Sequence, residues 1–225
     1  MHIEPPRGEG RGAITQDGCA VELYLEMPYR GELELLAAHL PPGCPVLELG
    51  CGAGRLTRPL LDKGHAVTAV DNSPDMLQHV PGAAEKVCGD IERLELGRTF
   101  DAVLLASNLI NVADDAGRRA LLDACRRHLS PRGVLLFQRF DAAWMREVEP
   151  GSFPSKSGMD IAIDRVERAG SLIRMSIRYR TARGEWAHHF TARLLDDADI
   201  EVALREAGFG APGWIDARWA AARPL

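Results

Sequence analysis

Val46-Leu47-Glu48-Leu49-Gly50-Cys51-Gly52-Ala53-Gly54-Arg55 is the stretch that decides the fold. Pro45 to Leu49 is a brief apolar run bounded by Pro and Gly, which reads as a buried strand. Three glycines follow at alternate positions, and a helical pattern begins at about Arg55, with Leu56, Leu60 and Leu61 on one face. Strand, glycine turn and helix open a nucleotide-binding βαβ unit. Without Cβ atoms at Gly50, Gly52 and Gly54 the turn can be tight and a ligand can approach the backbone. A dinucleotide fingerprint, G-x-G-x-x-G, would need its third glycine where Arg55 stands, which disfavours a nicotinamide dehydrogenase. The pattern is instead acidic-x-G-x-G-x-G, with Glu48 ahead of the glycines.

Composition sets the bounds. The 225 residues suffice for one α/β domain with a sizeable core. Apolar content of 46% and charged content of 26% are ordinary for a globular protein. A net charge of −5 argues against a nucleic-acid partner, which usually meets a basic patch. No apolar run reaches transmembrane length and no secretory segment follows Met1, so no membrane partner and a cytoplasmic address are expected. Cys19, Cys44, Cys51, Cys88 and Cys125 are odd in number and scattered, without a C-x-x-C pair, so neither a disulfide framework nor a metal site is suggested. Lysine occurs only at 63, 86 and 156, a usage typical of GC-rich bacterial genomes.

Residues 1 to about 16, rich in Gly, Pro and charge, are expected to form a loose arm. Cys19 to Leu40 carries a helical pattern broken by Pro28 and stopped by Pro41-Pro42-Gly43. His65 to Val70 reads as the second strand, with Asp71 directly after it. Asp71 lies 17 residues past Gly54, close to where a Rossmann-type fold places the acid that binds ribose hydroxyls. A carboxylate suits that task because it accepts two hydrogen bonds from adjacent hydroxyls. Asn72-Ser73-Pro74-Asp75 also reads as a helix start, with Ser73 as its cap. Ala83 to Val87 is the third strand, followed by Cys88-Gly89-Asp90-Ile91. Phe100 to Ala106 is the fourth, with Ser107-Asn108-Leu109-Ile110-Asn111 at its carboxyl end, where open α/β sheets bind ligands.

These residues together resemble class I S-adenosylmethionine (SAM)-dependent methyltransferases of small-molecule type. Glu48 and the glycine triplet are similar to that family's first motif, and Val70-Asp71-Asn72-Ser73-Pro74-Asp75-Met76-Leu77 to its D-x-S-x-x-M-L pattern. The resemblance spans residues 44 to 140. It implies SAM as cofactor and S-adenosylhomocysteine as product. The residues it assigns to the cofactor are Glu48, Gly50, Gly52, Gly54, Arg55, Asp71, Asn72, Met76, Asp90, Ile91 and Ser107. Among them Asp71 would hold the ribose, Met76 would pack on the adenine and Asp90 would meet the adenine amino group. Tyr24, Tyr29 and Arg30 would sit on an N-terminal lid, if that segment does more than cover the sheet. The Asn/Asp-Pro-Pro-aromatic tetrapeptide of amino-methyltransferases acting on DNA bases or protein glutamine does not follow the fourth strand, which with the acidic balance points away from a nucleic-acid acceptor.

Further along, Ala116 to Leu129 reads as a crossover helix and Ser130-Pro131-Arg132-Gly133 as a turn into a fifth strand, Val134 to Phe137. Three stretches of period two follow, from about Met159, Ile173 and Trp186, with Ala169-Gly170-Ser171 and Ala182-Arg183-Gly184 as turns, forming an antiparallel meander. Alternation puts His188 with Trp186 and Phe190 and its neighbour His189 with Thr191 and Arg193, so the two cannot easily share a metal. A structural role is open for each. His189, with Asn111, is taken as the candidate catalytic pair, since histidine is best suited to a general base near neutral pH.

The expected architecture is a Rossmann-like seven-stranded, mainly parallel sheet flanked by helices, with the meander inserted after strand five. One domain covers 1–225: arm and lid helix 1–43, SAM-binding core 44–140, cover segment and meander 141–195, and C-terminal helix and strand 196–225. Tyr24, Tyr29, Asn108, Arg139 and Trp144 are the candidate acceptor residues. The expected function is methyl transfer to an O or N nucleophile of a small molecule, with natural-product tailoring as one setting, by a monomer or homodimer. The alternative is a SAM-binding protein that transfers no methyl group.

Overall fold

In the computed structural model, residues 3–153 and 158–225 are described. The first two residues of the expected arm and 154–157 of the cover segment lie outside the described residues. In chain order the elements are β1 (Arg7–Gly10), α1 (Val21–Glu26), α2 (Glu32–Leu36), β2 (Pro45–Leu49), α3 (Thr57–Asp62), β3 (Ala66–Asp71), α4 (Pro74–Leu77) and β4 (Glu85–Cys88). Then come β5 (Phe100–Leu105), α5 (Asp115–His128), β6 (Leu129–Gln138), α6 (Ala142–Glu147), β7 (Gly151–Phe153), β8 (Asp160–Ala169), β9 (Leu172–Thr181) and β10 (Gly184–Arg193). The chain finishes with α7 (Asp197–Glu206), β11 (Gly213–Trp214) and β12 (Trp219–Ala222).

The main sheet has the order β11-β12-β6-β5-β2-β3-β4. The five strands from β6 to β4 are parallel, and β12 and β11 close the far edge antiparallel. Seven mainly parallel strands are what the sequence predicts. The inner strands are mostly apolar because helices cover both faces, with Glu48 of β2 and Thr68 of β3 as buried polar exceptions. Leu47, Leu49, Val103, Leu105 and Phe137 face Leu122 of α5 and Leu204 of α7. Val46, Val67, Leu104 and Leu136 face Leu36 of α2, Leu60 of α3 and Leu77 of α4. Ser130 to Gly133 fall inside the bounds of β6, yet still act as the expected turn. Pairing jumps from Phe100–Leu129 to Ala102–Val134, so the four residues bulge out of the ladder.

The meander is the core of a second, five-stranded antiparallel sheet, β1-β10-β9-β8-β7. Its inner face carries Ile163, Ile173, Met175 and Ile177 against Met145 and Val148 around α6. Its outer face pairs Arg174 with Glu167, Arg178 with Asp164 and Arg180 with Glu185. Such exposed pairs each add under about 1 kcal/mol.

The loose-arm expectation is corrected here. Residues 7–10 form β1 along the edge of β10, Trp186 Nε1 donates to the Arg11 carbonyl, and Val21 N to that of Ala13. The open edge of β10 would otherwise leave its backbone groups unpaired. The fold there is close: a Cβ on Gly8 would lie 2.2 Å from the Gly18 carbonyl oxygen, so only glycine fits. Arm and cap sheet thereby form one layer over the carboxyl ends of β2 and β5.

Candidate functional site

Strand order reverses between β2 and β5, and the loops after these strands diverge, opening a crevice where α/β sheets bind ligands. A cavity of about 600 Å³ occupies it, within the range of small-molecule sites. One wall is the glycine turn with Asp71 and Met76; a second is Ser107 to Val112 after β5, without Ile110. The roof is the cap sheet, with Ile177 and Tyr179 from β9 and His188 and Phe190 from β10. Asp17, Cys19 and Tyr24 close the side.

The glycine turn is left-handed at all three glycines, with φ of +69° at Gly50, +55° at Gly52 and +84° at Gly54. A Cβ on Gly50 would lie 2.6 Å from Leu109 Cδ1, so a side chain there would fill the approach between the two loops. Asp71 ties the turn to α4: one carboxylate oxygen accepts from Gly52 N at 2.8 Å, the other from Ser73 N at 2.9 Å. Burial pushes its carboxyl above the usual range, against the pull of those two donors. Each oxygen keeps a lone pair, which is what a ribose diol needs. Ser73 caps α4 by accepting from Met76 N, and so seats Met76, 2% exposed, against the cavity. Ser107 and Asn108 are both left-handed, at φ 56° and 59°, a strained pair at the head of the second loop. Asn108 Oδ1 is a buried acceptor with no hydrogen-bond partner among the described residues, an unmet demand at the same wall. These features fit SAM: a glycine cradle, a diol acceptor and an unpartnered polar atom on the facing wall.

Other expected cofactor residues stand behind the wall. Glu48 is buried under the turn, accepting from Thr57 Oγ1 at 2.6 Å. Gly54 packs on Val80 and Pro81. Asn72 and Asp90 are exposed beyond β3 and β4, outside the cavity lining, and Ile91 leans toward Gly50 from the rim. Arg55 does line the cavity and pairs with Glu32 at the start of α2, clipping the lid to the glycine turn.

Five expectations are corrected. His189 points to the outer face of the cap sheet, with Nδ1 2.8 Å from Ser176 Oγ and Nε2 3.4 Å from Glu9, while His188 faces the cavity. Strand alternation is the reason. Asn111 borders the cavity, but its amide is spent as a clamp: Nδ2 donates to the Arg193 carbonyl and Oδ1 accepts from Phe140 N, joining the β5 loop to the cap. Arg139 is buried away from the cavity; it donates to the Leu195 and Ala217 carbonyls, pairs with Asp197 at 2.6 Å and lies 3.8 Å over Trp214. Trp144 backs Phe140 from outside, with ring centroids 6.0 Å apart, so Phe140 is the ring that meets the cavity. Tyr29 turns out to Glu34 and accepts from Leu33 N, capping α2. Tyr24 and Asn108 do line the cavity, and Tyr24 Oη accepts from Cys19 Sγ at 3.0 Å. Missed by the sequence reading were Asp17, Phe140, Tyr179 and Phe190. Phe190 and Tyr179 carried a signal, since both share the apolar alternation of the meander.

Two substitutions probe this arrangement. Asp71→Ala removes a charge-assisted acceptor, with bonds to charged groups worth about 1.5–3 kcal/mol. SAM affinity by titration calorimetry should fall at least about tenfold. Burial pushes the Glu48 carboxyl up to about 7, with Thr57 and Arg55 pulling the other way. The folded state therefore favours the protonated form and loses stability as pH rises from the ordinary 4.5 through about 7. Relative to Glu48→Gln, the wild type should lose up to roughly 3 kcal/mol over that interval in denaturant unfolding.

Known proteins give the same picture. A model for the methyltransferase domain matches residues 46–133. The cypemycin N-terminal methyltransferase of a Streptomyces species is 29% identical, over 91% of this chain and 90% of that one. The fold matches a SAM-dependent methyltransferase structure from Clostridium acetobutylicum at a TM-score of 0.73, with 17% identity over 90% of this chain and 94% of that one. The glycopeptide N-methyltransferase MtfA, solved with SAM, matches at 0.60 with 27% identity over 87% and 93% of the two chains. The matched span holds both loops of the crevice, and the relatives extend the likeness through arm and cap: the chain has the class I, Rossmann-like fold, and its methyltransferase domain and relatives support a SAM-dependent methyltransferase.

Proposed function

We propose that the enzyme methylates the nitrogen of a small-molecule or peptide amine in natural-product tailoring. The observation that carries this reading is the composite cavity: arm, β5 loop and cap sheet enclose one space facing the glycine turn. Two proteins similar to nearly the whole chain are named as a cypemycin N-terminal methyltransferase and a glycopeptide N-methyltransferase, MtfA, which favours nitrogen over oxygen.

Bound SAM supplies an electrophilic methyl group on a sulfonium. The chain's own residues bind, orient and exclude water. Gly50, Gly52, Asp71, Met76 and Ser107 are assigned to the cofactor side, with Glu48, Gly54, Arg55, Asn72, Asp90 and Ile91 shaping or rimming it. Tyr24, Phe140, Tyr179 and Phe190 are assigned to the acceptor side. Holding nucleophile and methyl group in a dry near-attack geometry is worth up to roughly 7–11 kcal/mol in favourable systems. Cap and core act as one domain spanning 1–225, joined by the Val112–Ala192 bridge, the Asn111 clamp and Arg193, whose guanidinium donates to the Ala113 carbonyl. The enzyme is read as a monomer or homodimer in the bacterial cytoplasm, and the net charge of −5 accords with its having no nucleic-acid partner. No described helix is long and apolar enough to cross a membrane.

Incubation with SAM and a panel of peptides bearing free N-termini, amino sugars and matched hydroxyl compounds tests the reading by mass spectrometry. Methylated amines are expected. Methylation of hydroxyls alone contradicts the choice of nitrogen, and SAM binding without methylation of either favours the non-transferring alternative.

A further inference from the structure

His188 is placed as a proton acceptor would be. It projects from β10 into the cavity, where Phe190 stands beside it with ring centroids 4.9 Å apart. Its Nε2 lies 3.1 Å from the Asp17 carbonyl oxygen on the arm. A carbonyl oxygen only accepts, so Nε2 carries the ring proton and Nδ1 keeps its lone pair. Nδ1 has no hydrogen-bond partner among the described residues and is not sealed from solvent. The arm holds this arrangement, since Gly8 pairs with His188 across the β1–β10 ladder. Around the ring stand Asp17 and Cys19 on the arm, Tyr24 on α1, Tyr179 on β9 and, on the opposite face of β10, His189. Burial lowers the ring's proton affinity, with Asp17 opposing, so the imidazole is neutral at pH 7. The wall continues as Phe190 stacked on Phe140, with centroids 6.2 Å apart and ring planes 8° apart.

Resting on the N-acceptor reading, we propose that His188 Nδ1 takes the proton from the acceptor's ammonium group, and that Phe190 and Phe140 seat the apolar part of that acceptor. In this step an N–H bond of the ammonium breaks and its electron pair stays on nitrogen as the lone pair that attacks. The proton passes to Nδ1, giving an imidazolium. The substrate class is thus a protonated amine on an apolar body.

The test compares wild type, His188→Gln and His189→Gln over pH 7–10 with 2-phenylethylamine, a free-N-terminus peptide and an amino sugar. With an alkylamine, whose ammonium titrates near the lysine range of about 10.4, His188→Gln should lower kcat/KM about 10²-fold at pH 7. The loss should shrink to within about threefold by pH 10, where the amine sheds its proton unaided. His189→Gln should match wild type throughout, and His188→Gln should bind SAM within about twofold of wild type by calorimetry. Nitrogen NMR of the histidine ring in the free protein should show Nε2 protonated and Nδ1 bare. A loss equal at every pH, no loss, or the opposite tautomer overturns the inference alone. A wild type that methylates hydroxyls but none of the amines overturns the N-acceptor reading, and the inference with it.

Discussion

Strand β2 has β3 on one side and β5 on the other, and the crossovers that reach them lie on opposite faces of the sheet. The loops leaving β2 and β5 therefore cannot cover one another, and the gap at their carboxyl ends is a consequence of topology. The glycine turn, the carboxylate of Asp71 and the strained Ser107–Asn108 pair are local answers to having a ligand in that gap. The left-handed backbone of Ser107 and Asn108 costs free energy that a packed loop would avoid, which is why such strain gathers at binding sites.

A cleft open on its far side binds but does not protect. The cap sheet and the arm supply the missing side, and their attachment is made of long-range bonds to backbone carbonyls. Asn111 reaches Arg193, Arg193 reaches Ala113, Arg139 reaches Leu195 and Ala217, and His188 meets Asp17. These clamps hold the roof over the cofactor wall, as a near-attack geometry requires. They also explain why several polar residues near the site are unavailable for chemistry.

Much of this was legible in the chain. The acidic-x-G-x-G-x-G run, Asp71 behind the second strand and the polar residues after Leu105 each follow from short-range rules about strands, turns and carboxylates, and the structure places all three at one crevice. The meander's alternation was equally plain. What escaped was anything set by a distant backbone group. Residues 7–10 have no apolar period, and become a strand only because β10 offers an edge. Arg139 and Asn111 look like site residues in sequence, since a carbonyl partner some tens of positions away leaves no trace in the side chains. His188 and His189 were separable by alternation. The apolar company of His188, Trp186 and Phe190, pointed inward toward the core, and that cue outweighs the general suitability of histidine that favoured its neighbour.

In this geometry one ligand would bridge two loops that topology keeps apart, under a roof made by arm and cap. Amide hydrogen exchange with and without S-adenosylhomocysteine tests it most directly. Exchange should slow together at Gly50–Gly54, at Asp71–Ser73 and at Ser107–Val112, with the outer strands β7 and β8 unchanged. Protection confined to the cap sheet, or none at the glycine turn with a saturating ligand, would contradict it.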